Sequence, residues 1–161
     1  MARYRSPFNL PDQHMRLVGI IAAHWESIDV ILQRGIADAM DVPLPDIRLL
    51  TENLSVAAKI DLITAKAREI LPKDQFKDFN KVIGLVQAAY GQRNAFVHAK
   101  WSENGAKPKE PWRISVRTKG GRISIVQKPT PVGELVAAAT AIFSAGDELT
   151  NLFLRHGMLQ S

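Results

Sequence analysis

Between positions 17 and 39 an apolar residue recurs every three or four places, at Leu17, Ile21, Trp25, Ile28, Leu32, Ile36 and Ala39. Arg16, Glu26, Asp29, Gln33 and Asp38 lie mostly outside that stripe. This is the period of an α-helix with one buried and one wet face, and a stripe of that length requires other elements to cover it. The helix is predicted to start near Pro11-Asp12, where a proline suits the first turn and an acid complements the dipole, and to run to about Met40. His24, beside Trp25, reads as a core or border residue. Glu26 is either part of a solvated face or the acid that pairs with a cation elsewhere. Asp41-Val42-Pro43-Leu44-Pro45 stops the helix, because each proline lacks a donor and disfavours helical geometry in the residue before it.

The segment from Asp46 to Asn53 reads as a helical turn or an irregular link. Ser55 is a good N-cap for a second helix with Val56, Ile60, Ile63, Ala67 and Ile70 on one face, ending at Pro72. Lys59, Lys66 and Arg68 read as its solvated side. Asp74 is expected to cap a third helix from Gln75 to about Trp101. A polar loop with Gly105, Pro108 and Pro111 comes next. The period then changes from helical to alternating. Trp112, Ile114 and Val116 alternate with Arg113, Ser115 and Arg117, Lys119-Gly120-Gly121-Arg122 turns the chain, and Ile123 and Ile125 alternate with Ser124. A two-residue Gly-Gly turn sets Val116 opposite Ile125 and leaves Ile114, Val116, Ile123 and Ile125 on one face, expected to pack on the helices. The other face, with Arg113, Arg117, Arg122 and Lys128, either offers cations to a phosphate backbone or guards the edge against strand pairing. Thr130-Pro131 restarts a helix with the stripe Val132, Leu135, Val136, Ala139, Ile142, Phe143, Gly146, Leu149 and Phe153, ended by Gly157.

Four main helices joined by short links predict an all-α fold: an antiparallel up-and-down four-helix bundle, with a β-hairpin (about 111–128) inserted between the third and fourth helices. The 161 residues, 46% hydrophobic and 23% charged, suit a single domain with a real core. No cysteine is present, which excludes disulfides and thiolate zinc sites. His14, His24, His98 and His156 are scattered without metal-ligand spacing, and no glycine-rich phosphate loop or G-x-S-x-G elbow occurs, so neither metal nor cofactor is expected. No apolar run is long enough to span a bilayer and the first residues lack the apolar core of a signal peptide, so a cytoplasmic protein without membrane contact is expected. The net charge of +5 is permissive for a phosphate-rich partner.

One stretch carries chemistry: Arg93-Asn94-Ala95-Phe96-Val97-His98. On the third helix, Phe79, Ile83, Val86, Tyr90 and Val97 share an apolar stripe, and Arg93 projects at its centre. A guanidinium there costs several kcal/mol of desolvation unless paired, so a partner or a wet pocket is required; the alternative is that Arg93 snorkels out of the helix end. Asn94 and His98 stack along the stripe's border. Over five residues an unbroken helix separates Arg93 from His98 by about 140°, so the two converge only through a helix break or across a two-fold axis.

The order of arginine, polar residue, three spacers and histidine late in a helix resembles the R-x4-6-H motif of the HEPN superfamily. The stretches Leu54-Ser55-Val56-Ala57-Ala58-Lys59-Ile60-Asp61-Leu62 and Phe96-Val97-His98-Ala99-Lys100-Trp101 resemble that family more generally. The similarity covers roughly Met15 to Trp101 and Val132 to Arg155; the hairpin is a departure from the family's minimal core. The resemblance implies a metal-independent endoribonuclease, a hydrolase acting on RNA, which works as a homodimer with Arg93, Asn94 and His98 as its composite catalytic residues. Arg113, Arg117 and Arg122 are then expected to bind substrate, and a cognate inhibitor protein is a further expected partner. The alternative is a non-catalytic HEPN-like module that binds nucleic acid or a protein.

Overall fold

The computed structural model describes residues 10–119 and 122–159, excluding the side chains of 117–119 and 122. Its elements run in the order α1 (Asp12–Met40), α2 (Leu44–Thr51), α3 (Val56–Ile70), α4 (Lys73–Val97), β1 (Lys100–Ser102), β2 (Trp112–Lys119), β3 (Arg122–Pro129) and α5 (Val132–Arg155). The chain is thus mostly helical, with a small antiparallel sheet in the order β1-β2-β3. The basic arm before Leu10 and the expected Gly120-Gly121 turn lie outside the described residues.

The stripe that opens the sequence becomes the centre of the molecule. Ile21, Trp25, Ile28, Leu32 and Ile36 of α1 are at most 2% exposed, and α2, α3, α4 and α5 all pack on this helix. Their contributions to the same core are Ile47 from α2, Ile60 and Ile63 from α3, Phe79, Ile83 and Val86 from α4, and Leu135, Ile142, Leu149 and Phe153 from α5. Each such side chain contributes about 1.5–3 kcal/mol by leaving water. Asp41 closes α1 in the left-handed conformation (φ 53°), and its N–H reaches Ala37 O and Asp38 O. At the end of α5, Gly157 (φ 66°) lets Met158 N–H donate to Phe153 O at 2.8 Å, a Schellman closure that buries Met158.

Several boundaries differ from the sequence expectation. The link from Asp46 to Asn53 contains a true helix, α2, because Pro45 sits in its first turn and Ile47 and Thr51, one turn apart, both reach the core. Ser55 caps α3 as expected, accepting from Ala58 N–H at 3.2 Å. Helix α4 starts two residues earlier than predicted, with Pro72 as N-cap and Asp74 in the first turn. It also ends earlier, at Val97, because Lys100, Trp101 and Ser102 form β1 and pair with Ile114, Arg113 and Trp112. A third strand therefore joins the expected hairpin.

The hairpin register is the expected one, with Val116 opposite Ile125, but its orientation is reversed. Trp101, Arg113 and Lys128 are register partners on one face, and that face meets the helices. The Arg113 guanidinium lies 4.5 Å from the centroid of the Phe96 ring and 3.2 Å from Glu134 in the first turn of α5. Lys128 meets the same carboxylate at 3.0 Å. An ion pair and an aromatic face thus offset the desolvation of Arg113, whose side chain is 14% exposed. The apolar face points away: Val116, Ile123 and Ile125 are 53%, 71% and 64% exposed. The expected packing of this face on the helices is corrected accordingly.

Two polar groups escaped the sequence reading. His14 is fully buried, and its Nε2–H donates to Thr130 O at 2.9 Å, tying the start of α1 to the junction between β3 and α5. Its ring also meets Trp101 edge-on at 6.4 Å. Lys59, read as solvated, is instead 5% exposed, with Nζ donating to both Asp29 oxygens at 2.9 and 2.8 Å while Gln33 donates to the same carboxylate. Lys59 lies three residues after Val56 and four before Ile63, so it belongs to the border of their stripe.

The core makes two stability predictions. A Cβ on Gly35 would collide with the Phe153 ring, whereas one on Gly91 meets nothing within 4 Å. Gly35→Ala should therefore destabilise by about 1–3 kcal/mol through overpacking, while Gly91→Ala should stabilise by up to about 1 kcal/mol through helix propensity. Equal shifts in urea midpoint for the two variants would refute this contrast. Lys59→Met should cost roughly 3–5 kcal/mol by leaving Asp29 without its cation, and the double variant Lys59→Met/Asp29→Leu should recover most of that loss. A double variant no more stable than the single one, measured in the same denaturation series, would argue against the ion pair as the cause.

Candidate functional site

The last turn of α4 brings the motif together within one chain. Val97 is the final helical residue, and His98 is the C-cap, with φ −95° and ψ 5° and its N–H directed to Asn94 O at 3.4 Å. Because that bond is the helical i→i−4 one, His98 keeps its helical azimuth, and its contact with Arg93 spans the separation through the length of the arginine side chain. The helix ends here because strand β1 begins at Lys100, where the chain extends to pair with β2. Arginine and histidine thus meet within one chain with no helix break between them, which corrects the expectation drawn from their azimuths.

One guanidinium nitrogen organises the cluster. Arg93 Nη1 donates to Asn94 Oδ1 at 3.0 Å and makes a short hydrogen bond with His98 Nε2. Arginine has donors and no acceptor, so in this hydrogen bond Nε2 is the acceptor. Arg93 and Asn94 are half-buried and His98 is exposed. Arg93 Nε is buried with no hydrogen-bond partner, and Gln92 Oε1 beside it in sequence is in the same condition. An unpartnered buried donor of this kind costs about 1–3 kcal/mol.

No carboxylate neutralises this guanidinium among the described ion pairs. Glu26, the acid considered from sequence, is exposed on α1. Among the described residues the side-chain partners of Arg93 are the Asn94 amide and the His98 imidazole. Arg113 differs, since its charge is already met by Glu134 and the Phe96 ring. The register pairs Arg117 with Ser124 and Arg122 with Lys119, and the side chains of Arg117 and Arg122 lie outside those described. Of the three arginines expected to bind substrate, one is thus engaged internally.

Of two recesses, the first is lined in part by Gln92 and by Ala95 and Phe96 of the motif stretch. It has a volume of about 660 Å³ and runs between α4 and α5 over Ala88, Gly91, Ala95, Ala137 and Ala141, with Arg113 and Glu134 at its end. Another, of about 600 Å³, sits over the Asp29–Lys59 pair and is walled by Leu44, Pro45, Arg48 and Leu49. Arg93, Asn94 and His98 line neither recess. Among the described residues no set of three His, Cys, Asp or Glu side chains is placed to hold a metal ion, and no helix is long and apolar enough to cross a membrane.

Chemically, the cluster pairs a permanent cation with an exposed imidazole that carries a lone pair. The cation can hold two phosphate oxygens and the imidazole can take a proton. Comparison with protein-family models, with curated proteins and with solved structures finds no match to this chain.

Proposed function

We propose that the chain is a HEPN-like, metal-independent endoribonuclease whose four long helices form an antiparallel up-and-down bundle and whose active site is completed in a homodimer. The observation that carries this reading is the bond from Arg93 to His98: the arginine and histidine of the motif meet through the C-cap, with Asn94 on the same guanidinium nitrogen.

The arrangement suggests a sequence of events. In the free protein Arg93 occupies the lone pair of His98. A phosphodiester entering the site offers Arg93 better acceptors, and the guanidinium turns to its non-bridging oxygens. His98 Nε2 is then released and accepts the proton of the ribose 2′-hydroxyl. The 2′-oxygen attacks the adjacent phosphorus, the bond from phosphorus to the 5′-oxygen breaks, and that oxygen takes a proton from an acid. A 2′,3′-cyclic phosphate and a free 5′-hydroxyl result. Arg93 stabilises the charge that builds on the phosphorane, and Asn94 acts as a positioning residue for the guanidinium. One protomer supplies one such histidine, so the acid is the His98 of a second copy across a two-fold axis, which enters the step protonated and gives that proton to the 5′-oxygen. That copy also supplies the wall that the open surface around His98 lacks.

Two measurements test this reading. His98→Ala and Arg93→Ala should each reduce EDTA-insensitive RNA cleavage by about 10²–10⁴-fold under saturating substrate, and Arg93→Lys should fail as well, because an ammonium keeps the charge without the planar fork. Cleavage at an unchanged rate by His98→Ala would place the activity elsewhere, and a wild type inert on RNA would favour a non-catalytic module that binds nucleic acid or protein. The dimer should bury at least about 1,000 Å². Light scattering that shows only monomer at micromolar concentration would remove the composite site from consideration.

A further inference from the structure

Strand β3 is the outer edge of the sheet, and from Ile123 to Pro129 every residue is exposed. Two observations set it apart from an ordinary edge. Ile123 and Ile125 stand on one face at 71% and 64% exposure, next to Val116 at 53%, so an apolar strip runs along an edge with no further strand among the described residues. The charge is also one-sided. The chain's 21 basic and 16 acidic residues leave a net charge of +5, and the hairpin, with Arg113, Arg117, Lys119, Arg122 and Lys128 and no acid, accounts for all of it. Glu134 meets two of those cations.

The geometry points to β3 as a docking edge for an extended acidic segment of a partner protein, which adds to the sheet as a fourth strand. An edge strand directs the backbone groups of every second residue outward, and an incoming strand pairs with them while its side chains alternate between the faces. Apolar residues of the partner cover Ile123 and Ile125. Its carboxylates fall at positions of opposite parity, where the register places Arg122 and Lys128. A second copy of this chain fits the edge poorly, because two-fold pairing about Ile125 sets Arg122 opposite Lys128 at both ends and brings two hairpins of charge +5 together. The cations that suppress self-pairing therefore favour an acidic strand. This inference is independent of the catalytic reading, since it uses neither Arg93 nor His98.

The test uses the full chain and a fluorescein-labelled peptide of sequence Glu-Val-Glu-Val-Thr-Val-Glu, with a lysine-for-glutamate peptide and an all-glutamate peptide as controls. Anisotropy should show saturable binding of the first peptide alone, weakening as salt rises, and amide exchange should slow along positions 122–128. Ile123→Thr/Ile125→Thr keeps strand propensity and should weaken binding by about tenfold, the effect of two lost cross-strand contacts. Arg122→Gln/Lys128→Gln should weaken it as well, with far-ultraviolet circular dichroism confirming the fold of both variants. Absence of binding, equal binding of the lysine or all-glutamate peptide, or protection elsewhere in the chain would overturn the proposal. So would a dimer lost in Ile123→Thr/Ile125→Thr, which assigns the edge to a second copy, or an RNA oligonucleotide that binds there while the acidic peptide does not.

Discussion

The structure depends on the closeness with which α5 approaches α1. Gly35 faces the ring of Phe153 with no room for a Cβ between them, while a Cβ on Gly146 of α5 would meet Ile28 at 3.3 Å, a tight contact that small shifts can relieve. A glycine inside a helix weakens that helix by about 1 kcal/mol relative to alanine. At Gly35 the loss is offset by letting Phe153 settle fully into the core, where Phe79 of α4 stacks against it at 6.4 Å between ring centroids. The packing of α1, α4 and α5 is tied to that one contact, and with it the position of the last turn of α4, where the candidate site lies.

Three cations are drawn toward the interior, and each is accommodated differently. Lys59 has a dedicated carboxylate on the neighbouring helix and serves to join α3 to α1. Arg113 has a carboxylate and an aromatic face and joins the sheet to α4 and α5. Among the described residues Arg93 meets an amide oxygen and an imidazole, and its Nε has no hydrogen-bond partner. The first two are structural solutions in which the charge is cancelled. In the third no carboxylate among the described ion pairs cancels the charge, which is why the proposed chemistry is assigned to Arg93 and not to the others.

The sheet shows how a local pattern is overruled by its surroundings. Alternation alone favours turning Ile114, Val116, Ile123 and Ile125 toward the core. Two contacts reverse that choice: Trp101 enters the sheet on the face of Arg113, and Glu134 lies in the first turn of α5, where it can receive both Arg113 and Lys128. Anchoring the strands by that face leaves the isoleucines in water and creates the exposed strip along β3.

Much of this was legible in the amino-acid order. The periods of three and four residues located α1, α3, α4 and α5, because a buried stripe must repeat with the helical turn whatever it packs against. The Gly-Gly pair and the alternation around it set the hairpin register, because the pleat has a period of two. Arg93 stood out as a cation in an apolar stripe, five residues before a histidine. Other features required the tertiary structure. Helix α4 ends at Val97 because β1 pairs with β2, a contact between residues about a dozen positions apart. Lys59 is buried because Asp29, thirty residues earlier, is there to receive it. The sheet turns its cations inward because Glu134 and Phe96 converge on Arg113 from two different helices. Periodicity records which side of an element is apolar, while the partner across the gap decides whether a charge on its border is buried or exposed, and that partner is set by long-range packing.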